Sequence, residues 1–522
     1  MNVALISGLQ NSNFTINNLV LPNSNVTSLP NISNSCSGGV FGHVDSQTPN
    51  NINQYNGLQI NTSVNSIASN NNSYSSGVIG YITNCDDLII NRCSIYNSTI
   101  NSQSFSGASF AGAIQSICQQ TNVFVADITV LNVQIKAICN DQICYSAGIV
   151  AYVEICQIQL SNVKVNNSII QSIGSVSRSG GLMCFCDDSA LNIYNSEINS
   201  SFIQGSFIGA TIQQNQIYTT GPQTGGIIGT ANNSNVFVTD TILQFTNISQ
   251  ICKQHAVSGG INGQIINSSS RVINVKIRNS IIICNSSELN THSGGINAVV
   301  ECSNDYQQNV NVNDLQIFSN SIQYNHNGGL NGYIIKSTVN ISQVKIMYLN
   351  LQSQGINNNC GGILGAVVFS YQVNIQNSCI QNSNFTLNAY TNAAGAAICQ
   401  QHETQSIIIN NIVIRNIIFY IAGNSSSSGS FFSSIYSTNQ QIRSLTQIQN
   451  SLIDSINIYS TAQFNYNNII SQCPNSAFGQ IYISSTKSLG FSSINGVSIP
   501  NCEDVHVQLL DGSFFISDSG CI

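Results

Sequence analysis

Charge is what this sequence has least of. Only 6% of the 522 residues are charged, 13 Lys and Arg against 20 Asp and Glu, for a formal net charge of −7. A chain without a basic surface offers little to phosphate backbones or anionic lipid, so neither nucleic acid nor an anionic membrane surface is expected as a partner. Long apolar runs are missing as well. The most apolar stretch, residues 407–423, is interrupted by Asn410, Asn411, Arg415 and Asn416, which excludes a membrane-spanning helix there. The opening MNVALISGLQ has no basic residue and too short an apolar run for a signal peptide. On that reading the chain is intracellular or its true start lies upstream. The 18 cysteines include no paired CxxC, so a zinc ribbon is not expected, and no motif implies a metal or a cofactor.

What is present is periodic. Hydrophobic residues make up 42% of the chain and are interleaved with Asn, Ser and Gln. Without a period that composition would suggest a disordered or aggregation-prone tract. Residues 224–260 show the unit: a Gly-Gly pair, then Ile227, Gly229 and Ala231 alternating as one face of a short strand. Val236, Val238, Thr241, Leu243, Thr246 and Ile248 follow with steps of two, three, two, three and two. A step of two is a strand; a step of three is a strand turning a corner.

With the second glycine as anchor, equivalents fall at Gly39, Gly77, Gly112, Gly148, Gly181, Gly226, Gly260, Gly295, Gly329, Gly362 and Gly395, and degenerate copies at Ser430 and Ser476. Most separations are about 33 to 38 residues, a period of units that cannot bury their apolar faces alone. The best copies, such as Val123, Val125, Ile128, Val130, Val133 and Ile135, or Ile407, Ile409, Ile412, Ile414, Ile417 and Phe419, are β-branched runs poorly suited to a helix. The small middle residue of Ile261-Gly263-Ile265 and Leu330-Gly332-Ile334 implies a narrow core at that point. Cys93 and Cys184 fall on inward positions. Reduced core cysteines and disulfides between neighbouring coils both remain open.

One bend recurs. Successive coils place Asp127, Asn162, Asn195, Asp240, Asn274, Asp314, Gln343, Asn377, Asn411 and Asn450 at one equivalent site. Asn and Asp accept left-handed backbone, and stacked coils would line their side chains into a ladder. A propeller has a similar repeat length, but its antiparallel blades need no such ladder. The expected fold is therefore all-β: a single-stranded right-handed parallel β-helix of about thirteen coils with a period of about 35 residues. Residues 1–38 are expected to form a partial first coil, 39–485 the repeats, and 486–522 a cap, with Cys502, Glu503, Asp504, Asp511 and Asp518 concentrating acidity at the end. Extra residues between Gly181 and Gly226, including SFIGATIQQ, and near Ser430 read as looped insertions.

The segments GGIIG, GGINGQ and GGILGA, followed by N-V-x-V and by I-x-N-S-x-I as in residues 375–380, resemble the glycine-rich GLUG repeats of adhesin-like surface proteins. They also resemble the repeat of pectin-lyase-like β-helices, over roughly residues 39–485. The Asn, Ile and Gln excess and the lack of Trp are unusual for either. The resemblance implies a β-helix and leaves two classes of activity, surface adhesion and polysaccharide cleavage.

Cleavage needs carboxylates clustered on adjacent coils. The obvious pairs, Asp86/Asp87 and Asp187/Asp188, lie three coils apart, about 14 Å at one strand spacing per coil. Each pair reads better as a turn cap. The expected function is accordingly a non-enzymatic, elongated surface or secreted repeat protein, monomeric, that binds carbohydrate or a matrix partner along its flank. A β-helix polysaccharide lyase or hydrolase and a purely structural spacer or coat protein are the alternatives. The candidate ligand-binding residues are His255, His292 and His326, each shortly before an anchor glycine, and Asn262, Asn297 and Asn331, expected on the outward face of the glycine strand. Stacking would bring each trio into a column, able to bind a sugar, to sense pH or, through the imidazoles, to take a divalent metal.

Overall fold

The computed structural model describes most of residues 2–517. Residues 11–13, 29–33, 46–51, 208–221, 437–443, 461–463, 473–478, 485–486, 494–504, 510–513 and 518–522, with Met1, Ala4, Asn70 and Asp141, lie outside the description. The expected insertion after Phe207, the Ser476 copy and all five acidic-end residues named above fall among these.

The described residues are all strand, turn and bend, without a helix, and form a parallel β-solenoid of about 11 turns with a period of about 35 residues. The expected thirteen counted the degenerate Ser430 and Ser476 copies. The chain forms two compact units, Met1–Ser269 and Ser270–Ile522.

One turn of the first unit shows how the sequence builds the coil. Strands Gln115–Gln119, Asn122–Leu131 and Gln134–Cys139 follow one another, and Ile143–Ala147 leads into the next glycine. Each pairs in parallel with its equivalent one turn on: Val123 with Ile158, Ile128 with Val163, Ile135 with Ile170. The predicted inward residues Val123, Val125, Ile128, Val130, Val133 and Ile135 are all buried. So are their counterparts in the second unit, including Ile407, Ile409, Ile412, Ile414, Ile417 and Phe419.

The steps of three named from the sequence for residues 236–248 and 407–419 each contain one residue with positive φ: Asp240, Phe245, Asn411 and Asn416. The predicted corner residues Asp127, Asn162, Asn195 and Asp240 of the first unit, and Asn274, Gln343, Asn377, Asn411 and Asn450 of the second, have φ between 46° and 55°. One assignment is corrected. Asn309 occupies this corner in its turn and donates from Nδ2 to Asn274 Oδ1 at 2.8 Å. Asp314 belongs to a second corner five residues later, since Ser280 pairs with Leu315 and places Asp314 level with Asn279. The step-of-three pattern occurs at both corners of a turn, so spacing alone shifted the register by one corner.

Most described turns have three such corners; strand Gln59–Ala68 runs on without the second. The second column comprises Asn97, Asn132, Asn167, Ser200 and Phe245 in the first unit and Asn279, Asp314, Tyr348, Asn382 and Asn416 in the second. A third, after the glycine strand, holds Asn84, Gln120, Ile155, Asp188, Asn233 and Asn267, then Cys302, Lys336, Phe369 and Glu403. The residue after the corner points inward and is very often Ser or Thr. Ser168, Ser189, Ser337 and Ser378 each donate to the carbonyl two residues earlier. Each also accepts from a backbone N–H on the preceding turn: Val133, Cys156, Ser303 and Val344 respectively. A corner N–H that the twisted backbone cannot pair with a carbonyl is thereby satisfied by a hydroxyl. This is the physical content of the N-S-x-I motif: Asn takes the left-handed residue and Ser pairs a buried N–H of the preceding turn.

The glycine pair is required by close approach. A β-carbon on Gly225 would collide with the carbonyl oxygen of Ile228, and one on Gly226 with that of Gly260 in the next turn. The middle glycine, Gly263, meets the carbonyl of Gly229 in the same way, so the core is narrow there as expected. Cys93 and Cys184 are buried and unbridged, while Cys139 and Cys144 form a disulfide. Beyond residue 485, Lys487–Ser493 and Phe514–Ser517 still pair in parallel.

Candidate functional site

The strand before each glycine pair alternates. In Ser109–Gly112, Ser109 and Ala111 face the interior, so Phe110 faces out. The glycine strand that follows turns back toward it, and its outward residues come to face the Phe110 column. The two columns cover one another, which is why outward aromatic rings in this flank are largely buried. In the first unit Phe110 stacks between Tyr74 and Tyr145, with ring centroids 5.2 and 4.9 Å away. Opposite lie Tyr81, Ile117, Tyr152 and Phe185, Tyr152 stacking on Phe185 at 5.4 Å and meeting Tyr145 edge-on. Arg178 continues the first column and lays its guanidinium 4.5 Å from the Phe185 ring centroid. Burial pushes the Tyr145 phenol up to about 12, against the pull of that cation.

Two residues beyond the second column runs a polar edge: Asp45, Thr83, Gln119, Glu154, Asp187 and Asn232 on successive turns. Tyr81 donates its hydroxyl to Gln119 Oε1 at 2.5 Å, Gln119 donates to Glu154 Oε2 at 2.6 Å, and Asn232 donates to Asp187 Oδ1 at 2.8 Å. Burial raises the Asp187 carboxyl above its ordinary range, partly offset by the Asn232 amide. Glu154 and Asp187 are register partners. Adjacent doublets are the wrong place to look for paired carboxylates in a solenoid, because residues one period apart are neighbours and residues one apart point to opposite faces. Asp188, for its part, is a left-handed corner residue, and Asp87 accepts from Asn122.

The second unit contains most of the residues singled out from sequence. His292 pairs in register with His326, and their rings are parallel, 5.2 Å apart. Tyr333, on the glycine strand, covers both at 5.0 and 4.9 Å, and Asn359 Nδ2 lies 3.1 Å from His326 Nδ1. Tyr324 continues parallel to His326 at 6.3 Å. Burial lowers His326 to about 4, so it is neutral at physiological pH. His255, in the first unit, is likewise lowered to about 4 by burial. It sits four residues before Gly259, whereas His292 and His326 sit two before Gly294 and Gly328. The three imidazoles therefore do not share one repeat position. Among the described residues no group of three or more His, Cys, Asp or Glu is placed to hold a metal ion.

The asparagine trio is corrected. Asn262, Asn297 and Asn331 were expected on the outer face, and all are 0% exposed. Strand pairing passes over the position next to each: Asn297 pairs with Asn331 and Val299 with Tyr333, omitting Ala298 and Gly332. Alternation breaks at that bulge, and the residue before it turns inward with its predecessor. Inside, Asn297 donates to Asp305 Oδ2 at 3.0 Å and to Asn331 Oδ1 at 3.1 Å, and Asn331 donates to Asp305 at 3.2 Å. Gln307 donates to Asp305 and to Asn331 at 2.7 and 2.8 Å. Burial pushes Asp305 up to about 6, opposed by these amides. Asp305 and Gln307 stand where the neighbouring turn has Val339 and Ile341, so the break in apolar alternation was the signal that could have found them.

No family model, no curated protein and no solved structure matches the chain, and its function is read from its own residues.

Proposed function

We propose that the chain is a non-enzymatic, adhesin-like surface or secreted repeat protein whose outer flank binds a carbohydrate polymer. The observation that carries this reading is the pairing, in the first unit, of half-buried Tyr81 and Tyr152 with the hydrogen-bonding edge Gln119, Glu154, Asp187 and Asn232. Aromatic rings receive the C–H faces of a sugar, and amides and carboxylates bond its hydroxyls. A repeat at strand spacing suits a polymer, since weak contacts on successive turns add through effective concentration. In the second unit the half-buried His326 and Tyr333 offer related chemistry, while His292 and Asn359 are buried behind them; the resemblance of GGIIG and GGILGA to GLUG repeats supports the adhesin-like assignment. The buried Asn262, Asn297 and Asn331 take no part. A glycan-binding screen on the intact protein, repeated with a Tyr81→Ala/Tyr152→Ala variant, tests it. Binding that falls at least tenfold in the variant supports the proposal; no glycan bound by the wild type leaves a structural spacer.

A second reading is favoured by one observation, the register pairing of Glu154 with Asp187 on the outer face. Two carboxyls on adjacent turns, one of them raised, suit general acid and base roles in polysaccharide cleavage. New reducing ends released from a polysaccharide, and lost in both Asp187→Asn and Glu154→Gln, would establish it.

A further inference from the structure

The cysteines of the first unit are not used by the binding flank, and two of them meet. Cys118 belongs to the glycine strand Gln115–Gln119, and Cys156 follows the left-handed corner Ile155 one turn later. Both are buried, and their Sγ atoms lie 3.3 Å apart across 38 residues of chain. The other cysteines nearby have their own partners: Cys85 accepts from Asn53 at 3.5 Å, and Cys186 donates to Ser234 at 3.6 Å. Cys156 occupies the position held by Thr121 one turn before and by Ser189 one turn after. At that position the backbone N–H of Thr121 is directed at Cys156 Sγ at 3.4 Å, as the Cys156 N–H is directed at Ser189 Oγ at 2.9 Å.

We propose that Cys118 and Cys156 are a site of disulfide formation, a covalent staple between successive turns of the solenoid. The oxidant is an external disulfide of the glutathione class. The Cys156 thiolate attacks one sulfur of that disulfide and expels the first thiolate, forming a mixed disulfide. The Cys118 thiolate then attacks the Cys156 sulfur and expels the second. Two electrons pass to the external disulfide, which leaves as two thiols carrying the two protons. The order follows from the surroundings. Hydrogen bonding from the Cys118 thiol and from the Thr121 N–H holds Cys156 below the ordinary thiol range, while burial raises Cys118 well above it. The staple adds a direct covalent link between turns joined otherwise by the continuing backbone, hydrogen bonds and packing, and it closes a loop of 38 residues, which restricts the unfolded chain.

The test is non-reducing peptide mapping of the intact protein, before and after equilibration with oxidised glutathione. Free thiols are blocked by alkylation, and a parallel melting curve is recorded. The expected result is a linked pair of peptides containing Cys118 and Cys156, separate from the Cys139–Cys144 bridge. The oxidised protein should melt several degrees above a sample in which that pair is reduced. In a Cys139→Ser/Cys144→Ser background the rise should persist, and adding Cys156→Ser should abolish it. Because Thr and Ser occupy the same position in adjacent turns, Cys156→Ser keeps the hydrogen bonds of the fold; Cys118→Ala serves as the second variant. Both thiols alkylated after oxidation, either one joined to a different cysteine, or a melting rise unchanged by Cys156→Ser would each overturn the proposal.

Discussion

At the scale of the residue, Asn377 and Asn411 stand at successive left-handed corners, with φ of 48° and 55°. Both are exposed, and Asn411 donates to Asn377 at 2.8 Å in water-accessible surroundings. An exposed hydrogen bond contributes little, so the backbone sets the cost. A β-carbon without a local hydrogen-bonding side chain costs about 1–2 kcal/mol in the left-handed region, and glycine avoids it. Asn377→Ala should therefore destabilise by about 1 kcal/mol and Asn377→Gly by less, measured by urea unfolding. Equal losses would mean the side-chain ladder matters more than φ.

Asp305 is the residue at which burial works against the fold. Its carboxyl is raised to about 6, from about 3.9 in an unfolded chain. Between those values the folded state binds more protons than the unfolded one, so the contribution is fully present below about pH 4 and lost as pH rises through about 6. At neutral pH the group is a buried charge held by three amides. Asp305→Asn should stabilise the protein by about 1–3 kcal/mol at pH 7, and the gain should shrink toward pH 4. His255 and His326, both lowered to about 4, have the opposite sign. Their stability is present above about 6.5 and lost as pH falls toward 4. Comparing wild type with Asp305→Asn across pH isolates the carboxyl, because the histidine contribution is common to both. A gain independent of pH would mean that Asp305 does not titrate in this range.

At the scale of the element, alternation was legible wherever the strand is regular. Val339, Ile341, Val344, Ile346, Leu349 and Leu351 are inward as their spacing requires. It failed at the glycine strand, because a bulge reverses the face without leaving a mark in a two-residue pattern; Asn297 and Asn331 went inside for that reason. The second corner was legible as a step of three, but the residues of the second and third columns were not assigned, because Phe245, Ile155, Lys336 and Phe369 stand in left-handed positions, which residue preference alone would not assign. The serine column was visible as N-S-x-I, but its role depends on a partner about one period away. Ser378 accepts from Val344 N at 3.2 Å and donates to Gln376 O. Ser378→Ala leaves a buried N–H without that acceptor and should cost about 1–3 kcal/mol. Ser378→Thr should retain most of the stability, as Thr121, which accepts from Cys85 N at the equivalent place, shows. Chemical denaturation of the three proteins checks this, and an alanine as stable as threonine would remove the hydroxyl from the account of the corner.

At the scale of the whole molecule, the period carried the fold and little of the function. Polar edges such as Gln119–Glu154–Asp187 are columns assembled from residues about 35 apart, so no local motif announces them. The same geometry makes cooperation between turns obligatory. In turn 362–395 the ladder partners of Val373 and Ile375 are Val339 and Ile341 on one side and Ile407 and Ile409 on the other. Removed from both, the turn keeps its apolar residues but has no partner for its strand N–H and C=O groups, and nothing but water against the two open ends of its core. A peptide of residues 362–395 should therefore show no β signal by circular dichroism at concentrations where it stays monomeric. Peptides of increasing length should gain that signal abruptly once several consecutive turns are present, because each added turn satisfies a whole ladder at once. A single turn that folds alone, or a signal that grows in proportion to length from the first turn, would mean that stability resides within the repeat rather than between repeats.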